Sequence, residues 1–167
     1  MKSKLLYYAK EIAIFFIVMI VFANLLSLYK SSDLNKETLP LHTVQSIDSK
    51  LYTIDNTKPV LIHFWATWCP TCKVEASNIQ TISNHFQVIT IAVKSGSNKD
   101  LQNYLQENEL TYTTVNDNNA NYANKFKIAA YPTTFIYDKN KELVFSEVGY
   151  TSTWGLWLRM WWANLSS

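Results

Sequence analysis

A chain of 167 residues has room for one folded domain and a short appendage. Its 15 basic and 13 acidic side chains leave a net charge of +2, an excess that Lys2, Lys4, Lys10 and Glu11 supply by themselves; from residue 12 onward the charges balance and there is one arginine, Arg159. Without a basic footprint nucleic acid is excluded as a partner; 48% apolar content with 6 Trp, 10 Tyr and 8 Phe excludes disorder, and two cysteines exclude a disulfide scaffold.

Ile12 to Leu28 reads IAIFFIVMIVFANLLSL, 17 residues whose only polar members are Asn24 and Ser27. At about 1.5 Å per residue the run covers about 25 Å, and Leu5 to Ala9 extend it if Lys10 snorkels, enough for a bilayer core of about 30 Å. Residues 1–30 are therefore expected to form a cytoplasmic tip and one transmembrane helix. A cleaved signal peptide is the competing reading: Val21-Phe22-Ala23 passes as a weak cleavage site, but the apolar run continues to Leu28, longer than a signal core. Lysines before the run and mixed charge after it predict an N-inside anchor with the rest of the chain facing the exterior.

Residues 31–40, polar and closed by Pro40, fit a linker, and the folded domain is expected over 41–167. Three glycines in the whole chain exclude phosphate-cradling loops. A strand pair is expected over about 42–54, then a buried strand from Val60 to Trp65, a helix from Pro70 to about Asn84, and a central strand over Val88 to Val93. An amphipathic helix follows over Asn98 to Glu109, with Leu101, Tyr104 and Leu105 on one side, then a short strand near Tyr112 to Val115 and a helix near Asn119 to Phe126. Thr133 to Tyr137 and Leu143 to Val148 pair as a hairpin, and a last helix runs from Ser152 or Thr153 to about Leu165. Strands alternating with helices before a closing hairpin predict an α/β fold.

The decisive feature is Trp68-Cys69-Pro70-Thr71-Cys72 at the junction of a buried strand and a helix. Cysteines at i and i+3 on a first helical turn share a face, and the unpaired N–H groups and helix dipole there stabilise a thiolate on the first sulfur. Cys69 is thus the candidate nucleophile and Cys72 the less exposed resolving thiol. Pro70 suits the first turn, where its missing N–H is not needed, and with Trp68 and Thr71 completes the active-site loop. A structural disulfide gains little from so short a loop. Zinc needs about four ligands, while His42, His63 and His85 are scattered. A copper-binding or copper-delivery module using both thiolates and one histidine remains an open alternative.

The stretch Phe64 to Cys72, FWATWCPTC, resembles the active-site segment of the thioredoxin superfamily in its membrane-anchored bacterial, TlpA-like branch. The resemblance extends over about residues 41–167, since Ala130-Tyr131-Pro132-Thr133-Thr134-Phe135 falls where that fold places its cis-proline loop. It implies a thioredoxin-like fold, a central mixed sheet flanked by helices. The tail, from Gly149-Tyr150-Thr151-Ser152 to Trp161-Trp162-Ala163, resembles protein-disulfide oxidoreductases of the suppressor-of-copper-sensitivity D type, linked by name to copper stress. Thiol reductases of cytochrome c maturation are second, because their Gly-rich, acidic pattern around the cis-proline is not present here. A cis bond at Pro132 is expected to leave the Tyr131 backbone free to pair with an extended substrate segment beside Cys69.

Two groups are candidate proton relays. His63 stands six residues before Cys69, where thioredoxins hold a buried acid; it is expected either as acceptor of the Cys72 proton or as a hydrogen-bonded core histidine. Glu75, three residues past Cys72, is expected as a solvated glutamate complementing the helix dipole, with control of Cys72's proton affinity as the alternative. Trp154, Trp157, Trp161 and Trp162, with Leu158 and Leu165, are expected to form the core stripe of the last helix, a membrane-interface patch or docking face being the alternatives.

These readings predict a membrane-tethered thiol-disulfide oxidoreductase of the inner membrane, its domain in the periplasm or an equivalent space, exchanging Cys69 and Cys72 with cysteine-containing protein substrates. No organic or metal cofactor is expected beyond the Cys69-Cys72 disulfide itself. The resemblance implies a membrane thiol-electron transporter as reductant. Reductase is favoured over oxidase, although the same residues serve both directions.

Overall fold

Val60–Trp65 (β3) is apolar at every position but His63, and every residue of it is buried, as a strand covered on both faces must be. The computed structural model describes residues 10–12, 14, 15, 18 and 38–165. Most of the expected membrane helix and most of the 31–40 linker lie outside the described residues. Among those described, no helix is long and apolar enough to cross a membrane.

Thr43–Gln45 (β1) and Leu51–Thr53 (β2) pair antiparallel as a separate small sheet. After β3 come Pro70–Ser83 (α1), Gln87–Val93 (β4), Asn98–Glu107 (α2), Thr113–Asp117 (β5), Asn121–Lys125 (α3), Thr133–Tyr137 (β6), Leu143–Val148 (β7) and Thr153–Leu165 (α4). The main sheet has the order β5-β4-β3-β6-β7. β3, β4 and β5 run parallel, and β6 and β7 join antiparallel. The expected elements are all present, with ends moved by a few residues.

The two crossovers, β3 to α1 to β4 and β4 to α2 to β5, step outward in one direction, so right-handed connections put both helices on the same face. There Leu61, Trp65, Val88, Ala92 and Ile136 meet Ile79 and Ile82 of α1, Leu101 and Leu105 of α2, and Leu156, Met160 and Ala163 of α4. The alternate residues, Val60, Ile62, Phe64, Ile89, Ile91, Phe135 and Tyr137, pack on the other face with Leu39, Leu41, Val44, Ile54 and Phe126. Phe64 is central there, its ring 5.0 Å from Phe126 and 6.0 Å from Phe135.

Local chemistry fixes the helix starts. Ser97 Oγ accepts the Asp100 N–H at 3.2 Å while the Ser97 N–H donates to Asp100 Oδ2 at 2.8 Å, a capping box that opens α2. Gly96 before it holds φ +94, and a Cβ there would stand 2.8 Å from Asp100 Oδ2. Asp117 accepts the N–H groups of Tyr122 and Ala123 and so satisfies the first turn of α3.

The last helix corrects the sequence expectation. Its core stripe is Leu156, Met160 and Ala163, and Trp157 lies at the edge of that stripe with its ring 4.9 Å from His85 and 5.1 Å from Phe86. Trp154, Leu158, Trp161, Trp162 and Leu165 face outward. Both sides of α4 are apolar, so periodicity alone does not phase it. The smaller side chains go inward because they let α4 approach α1 and β6 closely.

Candidate active site

β3 ends at Trp65, and four residues later the chain turns into α1 at Cys69, the helix N-cap, with Pro70 at the first helical position. Cys69 and Cys72 form a disulfide across Cα atoms 5.3 Å apart. Cys69 Sγ also accepts the Cys72 N–H at 3.2 Å, so an unpaired donor of the helix start points at the first sulfur. Both residues are buried, Cys69 with 5% and Cys72 with 2% of its surface exposed.

Trp68 projects from the loop and its indole Nε1 donates to the Lys94 carbonyl at 3.1 Å. Its ring meets Tyr131 edge to face at 5.5 Å. The Thr67 N–H donates to Ser95 Oγ at 3.1 Å. Thus the loop after β4, with Lys94 at φ +47, braces the cysteine loop. The sequence reading missed Lys94 and Ser95; the one available signal was Gly96, marking a turn at the strand end. The Tyr131-Pro132 peptide is cis, and Thr133 Oγ1 donates to the Ala130 carbonyl at 2.8 Å, closing that loop beside Trp68. The expected loop residues Trp68, Pro70 and Thr71 and the pair Tyr131 and Pro132 are therefore brought to one end of the sheet.

His63 is a buried core residue whose Nδ1 lies 2.9 Å from Thr134 Oγ1. Burial pushes its pKa down to about 3, so it stays neutral. Strand register places Thr114, Thr90, His63, Thr134 and Glu147 in one row across all five strands, on the α1 face. No hydrogen bond joins His63 to a sulfur among the described residues.

Glu75 corrects its expectation, for it is fully buried and not solvated. The lead into α4 covers it: Oε1 accepts the Thr151 N–H at 2.9 Å, and Oε2 has no hydrogen-bond partner. Burial pushes its pKa up to about 8, the Thr151 hydrogen bond pulling the other way and the nearby Glu147 charge adding to the rise. Neighbouring hydrogen bonds from Asn78 to the Thr151 carbonyl (3.0 Å) and from Thr153 to Asn78 (2.8 Å) hold the cover in place. Among the described residues, no three or more His, Cys, Asp or Glu side chains gather as metal ligands.

Comparison with known proteins agrees with this geometry. Residues 35–146 match the AhpC/TSA family. The thioredoxin-like protein of Haemophilus influenzae is 33% identical over 155 residues, 89% of this chain and 90% of its own. Sporulation thiol-disulfide oxidoreductase A of Bacillus subtilis is 25% identical over 114 residues, 64% of this chain and 69% of its own. The crystal structure of StoA from Bacillus subtilis superimposes with a TM-score of 0.62 at 22% identity, covering 75% of this chain and 98% of that one, a likeness of fold. By the match over residues 35–146 and the identity along nearly the whole Haemophilus protein, the chain belongs to the AhpC/TSA family and has its thioredoxin-like α/β fold.

Proposed function

We propose that this protein-disulfide oxidoreductase works as a membrane-tethered reductase of protein disulfides on the exterior side of the inner membrane. The observation that carries the reading is the Cys69-Cys72 pair at the start of α1, with a helix N–H aimed at Cys69 Sγ. When the pair is reduced, that donor and the helix dipole favour a thiolate on Cys69. The thiolate attacks one sulfur of a substrate disulfide, forming a Cys69-substrate mixed disulfide and expelling the other substrate sulfur as thiolate. Cys72 then gives up its proton and attacks Cys69 Sγ. The second substrate thiolate leaves, and two electrons have passed from the pair to the substrate.

Of the two candidate relays, Glu75 is the one suited to the Cys72 proton. Its pKa, pushed up to about 8, lies near that of a thiol at about 8.5, and it follows Cys72 by one turn on α1. His63, with a pKa near 3, is too weak a base and is assigned to the core. Tyr131 and Pro132 border the site beside Trp68 and are assigned to substrate binding.

The apolar run at 12–28 supports the tether, and the tail from Gly149 to Ala163 supports a place near the suppressor-of-copper-sensitivity D type. A reductase in an oxidising space needs recharging, for which a membrane thiol-electron transporter is the assigned donor. The test is turnover: the full chain should speed dithiothreitol reduction of insulin, Cys69→Ser should abolish this, and Cys72→Ser should accumulate a mixed disulfide through Cys69. Unchanged turnover in Cys69→Ser would reject the reading.

A further inference from the structure

Among the described residues, the outer face of α4 is an exposed stripe of large apolar side chains. Trp154 is 78% exposed, and Leu158, Trp161, Trp162 and Leu165 are each between 52% and 60% exposed. At 100° per residue these five positions cluster on one side of the helix, opposite Leu156, Met160 and Ala163. Asn164 is the single polar residue among the exposed positions of α4. The only charge on the helix, Arg159, is turned aside, its Nη2 2.8 Å from Glu147 Oε1 and its guanidinium carbon 5.9 Å from the Phe145 ring centroid. A contiguous apolar stripe of this kind marks an interaction surface.

Where the chain enters the domain limits what can cover it. The Leu39 N–H donates to the Lys141 carbonyl, and Lys141 Nζ donates to the carbonyls of Asp55 and Lys58, so residue 39 is fixed at the end of the sheet where β3 begins. Asn164, near the end of α4, lines a recess with Asp55, Lys58 and Pro59 at that same end. Residues 29–38 reach at most about 35 Å when fully extended. A bilayer holding the 12–28 run therefore lies within reach of the C-terminal half of α4, on the side of the domain away from Cys69.

We infer that the outer face of α4 rests in the lipid headgroup region of the membrane that holds the 12–28 run; this rests on the tethered reading above. The chemistry fits. Indole rings favour the headgroup level, and an uncharged face loses little on leaving water. Thirteen residues span only about 20 Å, which suits a helix lying in the interface and not one crossing it.

All six tryptophans lie between Trp65 and Trp162, none in the apolar run, so their fluorescence reports the folded domain alone. The experiment reconstitutes the full chain into phosphatidylcholine vesicles and into vesicles whose phosphatidylcholine is brominated high on one acyl chain. Flotation after an alkaline wash is read alongside. The expected result is flotation of wild type with strong quenching in the brominated vesicles. The triple variant Trp154→Gln, Trp161→Gln, Trp162→Gln should float equally well and lose the quenching, while Trp157→Phe should keep it. Flotation without quenching, or quenching that survives the triple variant, would overturn the inference and leave the tether standing. Cross-linked dimers accompanying unquenched fluorescence would overturn it in favour of a second copy on the stripe. Failure of wild type to float would overturn both the tether and the docking.

Discussion

Glu75 Oε1 accepts the Thr151 N–H at 2.9 Å, joining the cysteine-bearing helix to the lead into the last helix and leaving a carboxyl group buried one turn from Cys72. Because burial raises its pKa from 4.5 to about 8, the folded protein holds this proton more tightly than the unfolded chain. Stability from this group is fully present below about pH 4.5 and is lost as pH rises through about 8. Glu75→Gln, which keeps the acceptor for Thr151 and removes the titration, should flatten the decline in melting temperature of the oxidised protein between pH 5 and 9, and in alkali should be the more stable form. The same substitution should alter the pH profile of disulfide exchange. Parallel stability curves for variant and wild type would contradict the assignment.

His63 works in the opposite sense. Its folded pKa, depressed from 6.5 to about 3, means that the unfolded chain takes up a proton first on acidification. Its contribution is complete above about pH 6.5 and is lost as pH falls toward 3. His63→Asn should therefore reduce the loss of melting temperature between pH 6.5 and 4. Between pH 6 and 9 the exchange profile of His63→Asn should keep its shape, since His63 stays neutral there; a shifted inflection would return His63 to the proton path.

Phe64 is fully buried against Phe126 and Phe135 on the face away from the helices that carry the site. Phe64→Ala should lose about 3–5 kcal/mol, measurable by urea unfolding. The loss falls on β3, which delivers the chain to Cys69, so the protein should unfold at markedly lower denaturant without a change in slope.

Ser97 caps α2 reciprocally with Asp100. Ser97→Ala should cost about 1 kcal/mol and leave insulin reduction unchanged, because the cap lies on α2, clear of the cysteines. A loss of turnover at full folding would tie the loop after β4 to the site more strongly than its bracing contacts with Thr67 and Trp68 imply.

Much of this was legible in the sequence because period and punctuation agree. β3, apolar but for His63, sits between Pro59 and the cysteine loop, β4 is apolar but for Gln87 and Thr90, and Pro70 marks the first turn of α1. Three things were not. A lone glutamate at 75 reads as surface until the Thr151 segment closes over it, and that contact spans 76 residues of sequence. The row Thr114, Thr90, His63, Thr134, Glu147 exists only once register aligns five strands, and register is a property of pairs that no single strand carries. On α4, size misled: the tryptophans carry the most apolar area, yet the close packing of helix on helix selects Leu156, Met160 and Ala163.

A working reductase must keep the Cys69-Cys72 pair ready to donate electrons. Acid-quenched alkylation of the full chain in intact cells reads this directly, since thiols are tagged and the disulfide is not. A largely reduced pair is expected at steady state, sustained by electron supply across the membrane. A pair found fully oxidised in growing cells would contradict it, and would make the protein an oxidant of its substrates or an unreplenished disulfide.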